Sequence, residues 1–424
     1  MLFTCRPGYG HYFPLVPLAR AAAAAGHAVA LAAGEPIRSV AEADGFETFS
    51  AGPSSDAVRE AIAERLGDLG AIPADQHRSF FFGRVFTGIE LPARLQDLLD
   101  VAAKWEPDIL VHELSEFAGP LAARLTGIPY VTCGYGPLPE PSIAEIAAAA
   151  AAPHWAAAGL EPAQAKMYRS LYLDPCPPSL QVPEIRLVAR RVTIRPEPAG
   201  TGAQAGRRWL GSLPSRPTVY VTLGTVWNQD ASVFEAILDG LAARPVNVIV
   251  ALGPGREAGM LGPQPPNVHV TDFIPHAQLM GRCDLVICHG GAGSMLDALA
   301  AGVPLLLLPQ GADQFYNAGR VVAAGAGRCL RSADLTPDGV AREAELLIDG
   351  HSYRDAAGAI AAEIAAMPPA SAALPVIGSL TTQCLAYGRS PVQLMNVAVP
   401  TIVAQSQHDQ REGSTRDEHE RRPD

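Results

Sequence analysis

The segment Asp284-Leu-Val-Ile-Cys-His-Gly-Gly-Ala-Gly-Ser294 decides the fold class, because it joins a buried strand, a glycine-rich turn and a helix start. The apolar run 285–288 predicts a strand covered on both faces, as in a parallel sheet. Its glycines let the backbone approach a ligand closely, and the first N–H groups of the helix lack intrahelical partners. Because the helix dipole also favours an anion there, the segment predicts a phosphate site; an ordinary strand-to-helix turn is the alternative.

A second apolar run, 305–308, ends at Pro309 and is followed by a polar cluster of Gln310, Asp313, Gln314 and Asn317. In open parallel sheets, ligands lie at the carboxyl ends of the strands. Carboxylate and amide groups suit a ligand covered in hydroxyls, because each hydroxyl both donates and accepts a hydrogen bond. A phosphate site beside these side chains predicts a nucleotide sugar as the ligand.

The order of these residues resembles the donor-binding motif of family 1 glycosyltransferases, especially that of the bacterial members that decorate natural products. The shared pattern is His-Gly-Gly-x-Gly-Ser/Thr, then Gly-x-Pro, then Pro-x-x-x-Asp-Gln, with serine here in place of the commoner threonine. The resemblance implies that Asp313 and Gln314 bind sugar hydroxyls, and Gln310 is a further donor-binding candidate. It implies a diphosphate site made of His289, Gly290, Gly291, Ala292, Gly293 and Ser294.

Two other segments extend the resemblance. Residues 219–225 resemble the first strand of the family's C-terminal domain, whose last Gly-Thr contacts the phosphate, and this implies a role for Thr225. A plain turn residue is the alternative for that threonine. Residues 272–275 resemble the segment that packs on the nucleobase, which makes Ile274 a donor-binding candidate.

Near the N-terminus, a predicted strand over 2–5 leads into a glycine loop that carries His11, followed by a predicted helix over 14–25. The pattern Gly-x-Gly-His-x-x-Pro resembles the family's acceptor loop, in which the histidine is the general base. An imidazole, with an ordinary pKa of about 6.5, can take the proton of a sugar-accepting hydroxyl near neutral pH. For an isolated histidine, a helix-start or surface position is the alternative.

A general base of this kind is expected to have an acidic partner that orients its ring. Alignment with the family assigns this role to Glu113, which follows the predicted strand 108–111 and replaces the usual aspartate; Glu116 is the other candidate. Glu113 is equally compatible with a place beside a helix N-cap. His112 is interpreted as structural.

A dinucleotide site is a weak alternative. Gly8-x-Gly10-x-x-Phe13, with Glu35 after the next strand, resembles part of the dinucleotide fingerprint. Phe13 stands where the third glycine would allow close packing of helix and strand, so an NAD(P) oxidoreductase is disfavoured.

No metal and no cofactor beyond the nucleotide sugar are predicted. The spacing of Cys283, Cys288 and His289 fits no common zinc site, so the cysteines are interpreted as core residues. The sequence contains no Asp-x-Asp element of the kind that holds a divalent cation in metal-dependent glycosyltransferases. Amide dipoles, Thr225, Ser294 and His289 would then stabilise the diphosphate.

Composition is that of a globular protein with two domains. The chain has 424 residues, of which 48% are hydrophobic and 18% charged. Its net charge of −11 argues against nucleic acid or an anionic membrane as a partner. Seven cysteines without regular spacing, and no evident signal peptide or membrane-spanning run, predict a cytoplasmic protein; a homodimer is left open.

Alternating strands and helices in both halves predict an α/β protein with two Rossmann-like, doubly wound parallel sheets. With the resemblance, this implies the GT-B fold, in which the two domains face each other across a cleft. The expected boundaries are 1–200 for the acceptor domain, 201–217 for the linker and 218–380 for the donor domain. Residues 381–424 do not match the family, and their charge-rich end predicts disorder. The resemblance also implies that the chain returns to the first domain after a helix near 353–366.

An aromatic cluster is the candidate wall of the acceptor site, with core packing as the alternative. Its members are Phe80, Phe81, Phe82 and Phe86, and Tyr12 is a further acceptor-binding candidate. The expected activity is inverting, metal-independent transfer of a sugar, expected to be a deoxysugar, from a dTDP- or UDP-sugar to a small apolar aglycone. An epimerase of GT-B fold and a non-catalytic binding partner are the alternatives.

Overall fold

The computed structural model describes residues 1–198, 210–211, 213–224, 231–253, 256, 258–272 and 274–386, with 383–386 by their backbone alone. In this part of the chain, the strands form two sheets whose pairings are all parallel. The first contains β1 (Leu2–Thr4), β2 (Ala30–Ala33), β3 (Glu47–Ser50), β4 (Leu110–Glu113), β5 (Tyr130–Cys133), β6 (Leu171–Asp174) and β7 (Arg191–Thr193). The second contains β8 (Thr218–Thr222), β9 (Asn247–Ala251), β10 (Val268–Thr271), β11 (Leu285–Cys288), β12 (Leu305–Leu307) and β13 (Gly327–Cys329). The expectation of two parallel α/β sheets is confirmed.

The strand order places one ligand crevice in each sheet. The first sheet has the order β3-β2-β1-β4-β5-β6-β7, and the second β10-β9-β8-β11-β12-β13. The direction of winding reverses between β1 and β4 and between β8 and β11. Ligands of open parallel sheets bind at the carboxyl ends of such strand pairs. His11 follows β1 and Glu113 ends β4, whereas the predicted diphosphate turn follows β11.

Helices cover both sheets, and some of them begin or end at capping residues. The hydroxyls of Ser54 and Thr336 accept N–H groups at the starts of the helices Ser55–Leu66 and Pro337–Asp349, and Gly127 ends the helix Ala118–Thr126 in the left-handed conformation. The helices of the first half are α1 (Tyr9–Tyr12), α2 (Val16–Ala24), α3 (Ile37–Ala43), α4 (Ser55–Leu66), α5 (His77–Phe80), a π-helix (Phe81–Glu90), α6 (Leu91–Trp105), α7 (Ala118–Thr126) and α8 (Pro141–Ala157). Those of the second are α9 (Ala231–Ala242), α10 (His276–Leu279), α11 (Ala292–Ala300), α12 (Gln314–Ala323), α13 (Pro337–Asp349), α14 (His351–Ala366) and α15 (Leu374–Ala386).

Apolar side chains pack on both faces of each sheet, which explains why the strands are continuous apolar runs. Leu2 and Phe3, neighbours in β1, belong to clusters on opposite faces of the first sheet. In the second sheet, Val286 and Ile287 of β11 point to opposite clusters in the same way. All four are inaccessible to solvent, so the strand ends that carry the polar residues are fixed by the cores.

The C-terminal segment returns to the first domain, as the resemblance implied. The backbone N–H of Arg195 donates to the carbonyl of Pro368 at 2.6 Å, just before the chain reaches α15. Residues 370–380, which the predicted boundary assigned to the donor domain, pack on the first-domain core through Ala370, Ala373, Ile377 and Leu380. The predicted tail begins inside α15, and its residues 387–424, like linker residues 201–209 and 212, lie outside the described residues. The domain boundaries otherwise stay predictions.

Two element boundaries differ from the sequence prediction in ways that matter for the site. Helical structure begins at Tyr9, not at residue 14, because Gly8 is extended at the N-cap, so His11 lies in a helical turn instead of a loop. Strand β4 extends to Glu113, two residues beyond its predicted end, which fixes that carboxylate in the sheet.

Among the described helices, none by itself has the length and apolar character needed to cross a membrane. One bent pair, His351–Ala366 with Ala370–Thr382, meets the criteria of length and composition jointly, with an angle of 46° between its members.

Candidate active site

The imidazole of His11 lies between a carboxylate and a guanidinium. Its Nδ1 is 3.3 Å from Oε1 of Glu113 and 3.2 Å from Oγ of Ser115. On the other side of the ring, Nη1 of Arg6 is 2.9 Å from Nε2. The side chain of His11 is 23% exposed and that of Glu113 is fully buried, so the imidazole can reach a ligand while the carboxylate cannot.

Glu113 and Glu116, the two candidate partners of His11, have different roles in the structure. Ser115 donates its N–H to Oε2 of Glu113 at 2.7 Å, and its hydroxyl contacts both carboxylate oxygens. Glu116 instead accepts the N–H groups of Ala118 and Gly119, each at 2.8 Å, and so caps helix α7. The helix-cap alternative therefore describes Glu116, while Glu113 faces the imidazole.

Glu113 is held in its ionised form. Burial alone would raise the pKa of this carboxyl, but the charge and hydrogen bond of His11, the charge of Arg6 and the Ser115 N–H together lower it to about 2. A fixed negative charge beside Nδ1 orients the ring.

His112 lies in the core and not in the cleft. Its Nδ1–H donates to the carbonyl of Glu116, and Thr132 donates its hydroxyl to Nε2, both at 2.8 Å. Burial lowers the pKa of this imidazole from 6.5 to about 4, although Glu113 and two backbone hydrogen bonds oppose the shift.

The His112 shift predicts a loss of stability in weak acid. The folded state holds this histidine neutral, whereas the unfolded state takes up a proton below pH 6.5. The contribution of His112 to the free energy of unfolding is therefore complete above pH 6.5 and is lost as the pH falls towards about 4. We expect up to about 3 kcal/mol of unfolding free energy to disappear across that range. Urea unfolding of the wild type and of His112→Asn at several pH values measures the slope. An equally steep slope in the variant would assign the loss to other groups.

Arg6 is a site residue that the sequence analysis missed. Its Nε donates to Glu90 at 2.9 Å, its Nη2 donates to the same carboxylate at 2.5 Å, and its guanidinium carbon lies 3.5 Å above the ring centre of Phe86. Phe86 and Glu90 are four residues apart in the π-helix and both contact Arg6. The spacing of these residues in the sequence gave no signal, because β1 and the π-helix come together only in the fold.

Two of the predicted acceptor contacts are wrong. The side chain of Tyr12 is fully buried and donates its hydroxyl to Asp44 at 2.7 Å, because the helical turn that exposes His11 directs the next residue into the core. Phe82 is 3% exposed and packs on Phe117 in the first-domain core. Phe80 and Phe81 are partly buried around the same core and stay candidates.

The aromatic rings that contact His11 are Phe86 of the predicted cluster and Tyr135, which the sequence analysis did not single out. Tyr135, in the loop after β5, and Phe86 meet the imidazole edge to face at centroid distances of 5.6 and 6.4 Å. Burial, and then the charges of Asp313 and Glu113, raise the pKa of Tyr135. Tyr135 therefore lies close to the predicted base and within the electrostatic reach of Asp313 in the other domain.

In the second domain, His289 is enclosed by two glycines. A Cβ at Gly224, where φ is +75°, would lie 2.5 Å from the imidazole, and one at Gly291 would lie 2.4 Å from its Nε2. Only glycine therefore fits at these positions while the ring keeps its place. Burial, opposed by Asp313, lowers the pKa of His289 to about 4, so the ring is neutral at physiological pH. Its buried Nδ1 finds no hydrogen-bond partner among the described residues.

The predicted diphosphate residues form the start of helix α11. Gly290 adopts a φ of +90° and Gly291 is the N-cap, so the free N–H groups of the first turn point out of the sheet. Gly293 is exposed and Ser294 partly so, whereas the side chain of Ala292 is buried. The arrangement offers backbone donors and a positive helix end to an anion.

The predicted sugar-binding turn, 310–314, is held by its own side chains. Oε1 of Gln314 accepts the N–H groups of Gln310 and Gly311 at 2.8 and 3.2 Å, so this buried carbonyl supports the turn. Asn317 donates to both Asp313 and the carbonyl of Gly290, which ties this turn to the diphosphate turn. The buried Nε2 of Gln310 has no partner among the described residues, as expected of a group that meets a ligand.

For the two remaining donor-binding candidates, Ile274 and Thr225, the structure gives little information on a ligand contact. The side chain of Ile274 is 1% exposed and belongs to the core, so only its backbone is left for a nucleobase. Thr225 lies outside the described residues.

The two domains are in contact across the cleft. Tyr316 of α12 donates its hydroxyl to the carbonyl of Leu138 at 2.9 Å, and Arg320 donates to the carbonyls of Leu180 and Gln181. A methyl group placed on Gly136 would come within 3.1 Å of the Cβ of Ala292 in α11. The loop after β5 therefore links the surroundings of His11 to the predicted diphosphate site. Among the described residues, no three His, Cys, Asp or Glu side chains converge as a metal site would require.

Comparison with known proteins gives one consistent result. The family model described as erythromycin biosynthesis protein CIII-like, N-terminal domain, matches residues 20–224, and the corresponding C-terminal domain model matches 235–377. The chain is 34% identical over 345 residues to the L-demethylnoviosyl transferase of Streptomyces niveus, covering 78% of this chain and 84% of that protein.

Solved structures show the same similarity. The glycosyltransferase SnogD from Streptomyces nogalater is 29% identical with a TM-score of 0.70, over 90% of this chain and 98% of SnogD. The glycosyltransferase SsfS6 from Streptomyces sp. SF2575, solved in complex with thymidine diphosphate, is 27% identical with a TM-score of 0.74, over 89% of this chain and 99% of SsfS6.

Proposed function

Since the chain belongs to the family of erythromycin biosynthesis protein CIII-like glycosyltransferases, which have the GT-B fold, we propose that it is an inverting, metal-independent enzyme. Its donor would be a deoxysugar carried on dTDP or UDP, and its acceptor a small, largely apolar natural-product aglycone. SsfS6, which binds thymidine diphosphate, supports the choice of donor.

The observation that carries the proposal is the pairing of His11 with Glu113. An imidazole that is 23% exposed and is backed at 3.3 Å by a buried carboxylate is the arrangement that a general base needs. His11 would take the proton of the acceptor hydroxyl through Nε2, while Glu113 stabilises the imidazolium that forms. Partly buried Tyr135 would form part of the apolar surroundings of the acceptor, and the buried ring of Phe86 would support the imidazole.

The acceptor oxygen would attack the anomeric carbon on the face opposite the diphosphate, which leaves with the electron pair of the broken bond. The first-turn N–H groups of α11, the neutral ring of His289 and the Ser294 hydroxyl would stabilise the charge that develops on the diphosphate. Asp313 and Gln310 would hold the sugar hydroxyls. No cofactor is needed for this step, because both reacting groups come from the two substrates.

The proposal predicts nucleotide-dependent glycosylation without added metal. Incubation with dTDP-glucose, dTDP-rhamnose and UDP-glucose and a panel of apolar aglycones should release the nucleoside diphosphate and give a product of opposite anomeric configuration. Mass spectrometry identifies the product and NMR its configuration, and EDTA should leave the rate unchanged. Retention of configuration or loss of activity in EDTA would refute the mechanism. Isomerised nucleotide sugar would indicate an epimerase, and binding without turnover a non-catalytic partner.

A cytoplasmic location and a homodimer remain predictions.

A further inference from the structure

Arg6 is held so that one end of its guanidinium remains available in the cleft. Nε and Nη2 are both bound to the carboxylate of Glu90, which is 3% exposed, and the face of the group rests on Phe86. Nη1 lies at the opposite edge and points to Nε2 of His11 at 2.9 Å. The guanidinium is therefore anchored at two nitrogens, while the third faces the atom that would accept the acceptor proton.

This contact determines the tautomer of His11. A guanidinium in a protein keeps its protons, so Nη1 must donate and Nε2 must accept. The ring proton is then on Nδ1, where Glu113 and Ser115 lie within 3.3 Å. Arg6 thus keeps His11 in the form that can receive a proton at Nε2.

The same contact limits which acceptors suit the site. Nε2 has one lone pair, so an acceptor hydroxyl that donates to it must take the place of the Arg6 N–H. Because Nη1 stays anchored beside Nε2, it would then donate to the oxygen of that hydroxyl. A fixed positive charge next to this oxygen stabilises its ionised form.

We infer that Arg6 is an acceptor-binding residue and that the site selects an acidic hydroxyl, that of a phenol or an enol, over an aliphatic alcohol. The inference rests on the proposed function and adds the chemical class of its acceptor. In the reaction, the hydroxyl proton passes to Nε2 of His11. The oxygen forms the new bond to the anomeric carbon, and the bond from that carbon to the diphosphate breaks, with its electron pair leaving on the diphosphate.

A binding measurement tests the inference without turnover. The full chain saturated with dTDP is titrated with para-nitrophenol, and ionisation of the bound phenol is followed by its absorbance as the pH is varied. The pKa of para-nitrophenol should be roughly one unit lower when it is bound to the wild type than when it is bound to Arg6→Gln, which is a tenfold difference in its ionisation constant. Arg6→Lys, which keeps the charge, should retain part of the shift. Arg38→Gln, at a partly exposed ion pair with Glu35 and Glu42, is the matched control and should behave as the wild type.

A turnover measurement gives a second readout, in which the wild type alone already tests the preference for an acidic hydroxyl. The wild type should have a kcat/KM for β-naphthol at least tenfold above that for the corresponding ring-hydrogenated alcohol, and Arg6→Gln should reduce this ratio about 10- to 100-fold. Failure of the wild type to bind para-nitrophenol, equal ionisation on wild type and Arg6→Gln, or preference for the aliphatic alcohol would each overturn the inference. A shift in the ionisation of the bound phenol without any sugar transfer would support the role of Arg6 in acceptor binding and refute the proposed function. Failure of the inference and failure of the proposed function are therefore distinguishable.

Discussion

Alanine in place of His11 is expected to lower kcat roughly 10²- to 10⁴-fold for an acceptor whose hydroxyl is un-ionised at the assay pH. The variant removes the group that lies 3.3 Å from Glu113 and would receive the acceptor proton. The donor residues lie in the other domain and stay unchanged, so the affinity for dTDP should be that of the wild type. The loss should be smaller for an acceptor that is already ionised, because such an oxygen has no proton to give up.

Steady-state kinetics and calorimetric titration with dTDP separate these two effects. His27→Ala, at an exposed histidine of the same domain, is the matched control and should keep the wild-type rate. Native turnover by His11→Ala would exclude the histidine as the base. An equal loss of dTDP affinity would place its role in donor binding instead.

Two glycine variants of one turn should separate donor binding from folding. A methyl group at Gly293 meets no atom within 4 Å, and alanine is the better helix former, so Gly293→Ala should be as stable as the wild type or up to about 1 kcal/mol more stable. If the diphosphate lies against this backbone, the same methyl group displaces it from the N–H groups. A charge-assisted hydrogen bond is worth about 1.5–3 kcal/mol, so the affinity for dTDP should fall roughly 10- to 100-fold.

Gly291→Ala should instead impair both properties. Its methyl group would lie 2.4 Å from Nε2 of His289, so the ring or the turn would have to shift. We expect a loss of about 1–3 kcal/mol in unfolding free energy together with weaker dTDP binding. Thermal unfolding and dTDP titration of both variants provide the comparison. Wild-type affinity in Gly293→Ala would mean that the diphosphate binds elsewhere.

The donor side of the protein could be predicted from the sequence because its elements are local. The apolar run, the glycine turn and the helix from 285 to 300 are contiguous, and each part is set by residues within a few positions of it. Membership in the family of glycosyltransferases and the two parallel sheets followed from such patterns. The hydrogen bonds of Gln314 could not be predicted. A glutamine that binds a sugar hydroxyl and a glutamine that supports a turn have the same sequence pattern.

The acceptor side depends on contacts between distant segments, and there the sequence was less informative. The errors at Tyr12 and Phe82 arose because an aromatic residue beside a predicted site is as compatible with the core as with the cleft. Arg6 and Glu90 are 84 residues apart, and no local pattern indicates that they meet. The choice between Glu113 and Glu116 required the end of β4, since a shift of one or two residues decides which carboxylate faces the imidazole.

The return of the chain to its first domain restricts how the protein can open. The segments that leave and re-enter the first domain meet where Arg195 donates to Pro368. A contact at this point restrains the sliding of one lobe past the other more than their rotation. We therefore expect the cleft to open for substrate entry and nucleotide release by rotation, which widens the opening with distance from Arg195 and Pro368.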